Sequence, residues 1–297
     1  MGSWKIDRVG ELERDAALQR LFPSDDPSQT RAQVAQALER IAEGAADARC
    51  LFWAKQKPDG GTQVLGACWI EGQAGNVGYL HPPVVEQDLP PLERQQCELE
   101  LYAAAEATAL ETGIGWIQCL LDPGSETATL LEKLGYQKVS TLVYQAALLP
   151  RKNAASRTLR VKARPYEASQ RTELEELLAA TYEGSLDCPA LNGTRTPGDT
   201  LQSYASIGQA GTQHWQFIER DGQLIGCLLF GTHAPDTPRA RALGELIYWG
   251  VIPNERGQGY GREILELALG QAEALNLDKL VLAVDQANEP ALRQYAQ

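Results

Sequence analysis

The chain has 297 residues, 43% of them apolar and 22% charged, which excludes a peptide-scale scaffold and a disordered chain and leaves room for one large domain or two of ordinary size. Lys and Arg total 27 against 39 Asp and Glu, a net charge of -12, and such an acidic surface repels nucleic-acid phosphates and anionic lipid headgroups, arguing against both as partners. No apolar run approaches the roughly 18 residues that span a bilayer, and the first 20 residues lack the pattern of a secretion signal, so a cytoplasmic protein with no membrane partner is expected.

In chain order, apolar runs at 50–54 and 64–70 flank Pro58-Asp59-Gly60-Gly61 and predict a hairpin. A further apolar run follows, then a long amphipathic helix near 92–112, a strand at 114–120, a short helix at 126–134, and a turn and strand over 135–144. The stretch 149–157 is polar, basic and Pro-marked, which suits a linker. The same order then recurs at an offset near 160 residues. Runs at 214–218 and 224–230 flank Asp221-Gly222, a strand covers 245–251, and a helix over 259–275 carries the stripe Ile264, Leu265, Ala268, Ala272 and Leu275. A strand at 280–284 and a short helix at 289–295 complete the second copy, which stops at Gln297 and is expected to lack its last strand. Two α/β domains are therefore expected, residues 1–150 and 154–297. Residues 1–150 carry a net charge of -9 and residues 151–297 one of -3, so the second half is better suited to an anionic ligand. Six scattered cysteines with no Cys-x-x-Cys spacing predict reduced core thiols and no metal.

Chemistry concentrates in the second copy. The strand 245–251 runs into Ile252, Pro253, Asn254 and Glu255, and then Arg256, Gly257, Gln258, Gly259, Tyr260 and Gly261 open a helix. Alternate glycines let backbone N-H groups turn toward one point, and a helix N-terminus adds unpaired donors and a positive dipole end, so a diphosphate fits. The spacing Arg-Gly-x-Gly-x-Gly differs from the Gly-x-Gly-x-x-Gly of a dinucleotide fold, and no Gly-Lys-Ser/Thr follows as in a nucleoside triphosphate loop.

On these residues the sequence resembles the GCN5-related N-acetyltransferase (GNAT) superfamily, whose signature Arg/Gln-x-x-Gly-x-Gly/Ala follows a strand ending near Val-x-Pro. Val251, Pro253, Arg256, Gly259 and Gly261 match it. The resemblance covers about 159–297 closely and 4–148 by architecture only, an arrangement similar to tandem acetyltransferases of the mycothiol synthase type. It implies two tandem GNAT-like domains, each a mixed, mostly antiparallel sheet flanked by helices, with acetyl-CoA as cosubstrate and no metal. It further implies cofactor contacts from Gly250, Val251, Ile252, Pro253, the 256–261 loop, Arg262 and Asn288. Glu245 is then the general base and Tyr295, seven residues after Asn288, the acid that protonates the departing thiolate.

Plainer readings stand beside these: a solvated strand-end charge for Glu245, a half-buried aromatic for Tyr295, a helix cap for Asn288. The 182–195 segment is the expected acceptor lid, with Glu183, Asp187 and Arg195 as candidate contacts, whereas His214 and His233 read as isolated and structural. The first copy has prolines and acids at 81–91 in place of the glycines, Ser125 for Asn288 and Glu132 for Tyr295, so it is expected to keep the fold without the chemistry. The expected function is direct acetyl transfer to the primary amine of a small molecule or peptide, the alternative a CoA-binding regulatory module without turnover. Nothing in the chain specifies an oligomeric state.

Overall fold

The computed structural model describes residues 4–56, 62–150, 158–234 and 242–295. The turn expected at 58–61 and the linker residues 151–157 lie outside these. Two compact units divide between Leu134 and Gly135.

The first unit contains β1 (Trp4–Arg8), α1 (Arg14–Leu21), α2 (Pro27–Ala42), β2 (Leu51–Gln56), β3 (Gln63–Gln73), β4 (Val77–Val85), α3 (Pro91–Glu111), β5 (Trp116–Gln118) and α4 (Glu126–Lys133). Its sheet runs β1-β2-β3-β4-β5, antiparallel except for the parallel pair β4 and β5. The central strand β3 is a continuous buried run because helices cover both faces. Ala67 and Trp69 pack with Leu18 and Leu21 of α1 and Val34 and Ala37 of α2, while the alternate residues Cys68 and Ile70 face the other way, where α3 packs. Helix α2 starts where it does because Pro27 presets its first turn and Asp26 accepts a hydrogen bond from the Ser28 N-H.

The second unit contains β6 (Leu142–Leu148), β7 (Lys162–Pro165), α5 (Arg171–Tyr182), α6 (Pro197–Ala205), β8 (Gln216–Arg220), β9 (Gln223–His233), β10 (Leu243–Val251), α7 (Tyr260–Ala274), β11 (Lys279–Asp285) and α8 (Glu289–Tyr295). Its sheet runs β6-β11-β10-β9-β8-β7, with only β10 and β11 parallel. On one face Leu246 and Val251 pack with Ile264, Ala268 and Ala272 of α7. On the other, Phe217, Cys227 and Tyr248 pack with Leu174, Leu177 and Leu178 of α5. Each fully buried Leu or Ile contributes about 1.5–3 kcal/mol, so this two-sided burial is what holds β9 and β10 in place.

The domain boundary differs from the one expected near residue 153. Strand β6, grouped by sequence with the first copy, pairs antiparallel with β11 along its whole length, from Leu148↔Lys279 to Leu142↔Asp285. Hydrogen bonds from Leu149 N-H to Asp278 O and from Gln286 N-H to Thr141 O extend the ladder at both ends. The reason is edge length: β5 has three residues and β11 has seven, so β11 satisfies far more of the backbone donors and acceptors of β6. The place of the last strand in the second sheet, expected to be empty, is thereby filled from an earlier part of the chain. All six cysteines are free, four of them buried and Cys119 and Cys188 half-buried.

Candidate active site

The site is organised by two irregularities of β10. Its register with β9 shifts between Leu246 and Tyr248, a bulge that leaves Ile247 as the extra residue and re-aims the side chains around it. Its parallel pairing with β11 is confined to Gly244↔Leu280 and Glu245↔Val281. Beyond those pairs the strands separate, while Gly250 and Val251 remain paired to Cys227 and Gly226 of β9.

From the end of β10 the chain makes a 3-10 turn over Pro253–Glu255 and enters α7. Gly257 (φ +76°) and Gly259 (φ +87°) adopt left-handed backbone that a Cβ disfavours. Their conformation aims the donors: the N-H groups of Gly257, Gln258, Gly259, Tyr260 and Gly261 find no acceptor among the described residues, and the first recorded bond at this end of α7 runs from Arg262 N-H to Gly259 O. Gly261 is required by a close approach instead, since a Cβ there would stand 2.9 Å from the Trp249 ring. Five neighbouring free donors at a helix N-terminus form an anion nest. Around it, Arg160 and Arg220 lie 4.6 and 5.4 Å from the centroid of the Tyr260 ring, and Arg160 donates to Gln258 O and to Glu263. Arg262 lines a neighbouring depression of about 230 Å3 together with Arg160.

Arg256, expected to contact the cofactor, is a brace. Its Nε donates to Val251 O (2.8 Å) and its two terminal nitrogens to Glu183 O (2.6 Å) and Thr181 O (2.8 Å). It ties the end of β10 to the C-terminus of α5 and so shapes the loop. Asn288 caps α8, its Oδ1 accepting from Ala291 N-H at 3.3 Å, and its amide nitrogen has no recorded partner.

Tyr295 accepts a hydrogen bond from Trp249 Nε1 at 2.9 Å and meets that ring edge to face. Burial, outweighing the Trp249 hydrogen bond, pushes its hydroxyl up to about 12, so it holds its proton at neutral pH with the O-H still free to donate. Glu245 alternates with Leu246 and therefore faces away from α7. Its Oε2 lies 2.5 Å from His233 Nε2, the two side chains 31% and 33% exposed. His233 is thus not isolated, contrary to the sequence reading. His214 is structural: it packs on Phe230, its carbonyl accepts from Gln271, and burial lowers its pKa.

In the 182–195 segment, Asp187 Oδ1 accepts from the N-H of Asp285 (3.0 Å), and Asp285 in turn accepts from the N-H groups of Cys188 and Ala287. Burial, and then the neighbouring Asp285 carboxylate, raise the pKa of Asp187. Arg195 donates to Asp199 O and burial lowers its pKa, and Glu183 serves through its carbonyl. Sequence reasoning missed Trp249, His233, Arg160 and Asp285. Of these only Asp285, a carboxylate ending an apolar strand, carried a signal of its own.

A family model described as Acetyltransferase (GNAT) family matches residues 173–297. The mycothiol acetyltransferase of Thermobispora bispora is 38% identical over 77 residues, which is 26% of each chain. That of Frankia alni is 39% identical over 82 residues, 26% of this chain and 25% of its own. The matched stretch spans about a quarter of the length of these relatives. Among solved structures, a GCN5-related N-acetyltransferase from Sphaerobacter thermophilus superimposes on 100% of this chain and 92% of its own with a TM-score of 0.63 at 15% identity. A tandem GNAT protein from the clavulanic acid biosynthesis pathway covers 99% and 93% with a TM-score of 0.52 at 14% identity. Both share the fold of two sheets with flanking helices. With the glycine loop and splayed strand in place, residues 173–297 of the second unit match the acetyltransferase (GNAT) family.

Proposed function

We propose that the second unit moves an acetyl group from acetyl-CoA to a primary amine by direct attack, without a covalent enzyme intermediate. The observation that carries this reading is the row of five unpaired N-H groups from Gly257 to Gly261 beside the opening between β10 and β11. The nest suits the diphosphate of CoA, and the free amide nitrogen of Asn288 suits its pantetheine arm. An acetyl thioester lying in the opening presents its carbonyl to backbone N-H groups near Gly250 and Val251, which stabilise the oxyanion as the amine attacks.

Glu245 takes the proton from the attacking amine, directly or through one water. His233 is its positioning group, fixing one carboxylate oxygen and leaving the other for the proton. As the carbon-sulfur bond breaks, the thiolate takes a proton from Tyr295, whose hydroxyl is still protonated at neutral pH. The Trp249 N-H donates to the Tyr295 oxygen and so favours the phenolate left behind. Asp187, one oxygen without a recorded partner, offers a carboxylate to a cationic acceptor.

The test is a thiol-release assay with acetyl-CoA against a panel of small-molecule and peptide amines. Amine-dependent release that falls in Glu245→Gln supports the reading. Tight acetyl-CoA binding with no release above hydrolysis for any amine would instead favour a CoA-binding regulatory module.

A further inference from the structure

The first unit contains an open depression of about 460 Å3, formed where β1 ends, α1 begins and the 43–50 segment enters β2. It lies within one compact unit and uses no residue of the acetyl-transfer site. Three arginines line it, Arg8 from the end of β1, Arg14 from the first turn of α1 and Arg49 from the loop, with Asp47 as the one carboxylate. This concentration of positive charge occurs in the half of the chain that carries a net -9.

Asp47 is hydrogen-bonded to Arg49 and attracts Arg14 through space without a hydrogen bond to it. Its Oδ2 accepts from Arg49 Nε at 2.6 Å and its Oδ1 from the Arg49 N-H at 2.8 Å. Its own backbone is pinned, the N-H donating to Gly72 O and the carbonyl accepting from Trp69 Nε1. Among the described residues Arg8 makes no ion pair, only a distant contact with the Phe52 ring at 6.0 Å. Arg14 stands 3.9 Å from Glu11, beyond hydrogen-bond range, and its Nε is buried with no acceptor. A buried guanidinium N-H without a partner is uncommon in a folded protein and marks a place where an acceptor belongs. Ile41, Ala46 and Ala48 supply an apolar wall beside these donors, and the volume is that of a site for a small molecule.

We propose that this depression binds a small phosphate monoester, its dianionic head held by Arg8 and Arg14 and its organic body lying against Ile41, Ala46 and Ala48. Guanidinium groups match tetrahedral oxyanions through paired N-H donors, and Arg8 and Arg14, neither hydrogen-bonded to a carboxylate among the described residues, present such donors to one phosphate monoester. The apolar wall separates such a ligand from inorganic phosphate, which would leave it uncovered.

The experiment is calorimetric titration of the full chain with phenyl phosphate and with inorganic phosphate at fixed ionic strength, repeated with CoA at saturation. Expected are one phenyl phosphate site per chain, inorganic phosphate binding more weakly, and neither displaced by CoA. Arg14→Gln and Arg8→Gln should each weaken phenyl phosphate at least about tenfold. Should Arg14→Gln prove less stable to heat, the exposed Arg8→Gln carries the decision. Heats no larger than those from sodium chloride, displacement by CoA, or affinity unchanged in the folded variants would overturn the proposal.

Discussion

The two units share one frame and differ in what they hang on it. In the first, β4 pairs with β5 only from Val77↔Trp116 to Tyr79↔Gln118, just as β10 leaves β11 after Glu245. Both central ladders carry an irregularity, between Ala67 and Trp69 in one and between Leu246 and Tyr248 in the other. The helix that follows is where they part. Helix α3 starts with Pro90 as its cap and Pro91 in its first turn, two residues with no N-H, and Glu86 before them is held by Arg20. A splayed sheet is therefore common to both units, and what distinguishes the second is the free donors and glycines of one helix turn.

The carboxylate-imidazole pairs repeat the contrast. His81 stands 2.9 Å from Glu71, but Glu71 is 2% exposed and also bound by Arg40. His81 is stacked on Trp69 at 5.1 Å and edged by Phe22 and Tyr79. Burial opposes the charge of Glu71, yet His81 and Arg40 together hold its pKa below the ordinary value. That pair is closed and structural, whereas Glu245 and His233 are each about a third exposed.

The largest effect should come from breaking the nest. Gly259→Glu adds a side chain to left-handed backbone, costing about 1–2 kcal/mol, and puts a negative charge where a diphosphate approaches. Acetyl-CoA affinity should fall by about 10²-fold or more, read by calorimetry on a folded variant. Unchanged affinity would remove the nest from the site. Wild-type protein should bind one acetyl-CoA per chain, and a second site would refute the division between the units.

The histidine pairs should then separate by readout. Glu245→Gln and Tyr295→Phe are each expected to lower turnover about 10²-fold with CoA affinity nearly intact. His233→Ala, acting through Glu245, should cost about tenfold and alter the pH profile. His81→Ala should spare turnover but destabilise the protein by about 3 kcal/mol, because it strips a buried carboxylate of one partner. If His81→Ala lowers turnover without lowering the melting temperature, the closed pair has a function not assigned to it.

Much of this frame was legible in the amino-acid order. The helix expected at 259–275 is Tyr260–Ala274, and the short helix at 289–295 is Glu289–Tyr295, because 3.6-residue periodicity and glycine punctuation are local signals. The owner of β6 was not legible, since a strand cannot reveal which of two distant edges it joins. Arg256 shows the same limit within the site: its motif position was visible, but its three carbonyl acceptors come from β10 and α5. His233 and Glu245 are 12 residues apart and meet only because β9 and β10 pair in the observed register, His233 opposite Leu243.

The smallest effect tests the proposed acceptor side, where the second unit holds two neighbouring carboxylates. Burial and Asp285 raise the pKa of Asp187 above its ordinary 3.8. The folded state therefore binds more protons than the unfolded one between those values, so the contribution of this group is fully present below about pH 3.8 and is lost as pH rises through the raised folded value. At pH 7 the charge is a net cost. Asp187→Asn keeps an oxygen to accept the Asp285 N-H while removing the repulsion, so the melting temperature should rise by roughly 2–4 °C at pH 7, with the difference vanishing below about pH 4. If Asp187 also receives the cationic acceptor, the same variant should raise the acceptor KM while leaving acetyl-CoA affinity alone, a trade of stability against function. A lower melting temperature at pH 7 would show that Asp187 is stabilised as a carboxylate, and an unchanged KM would take it out of the acceptor site.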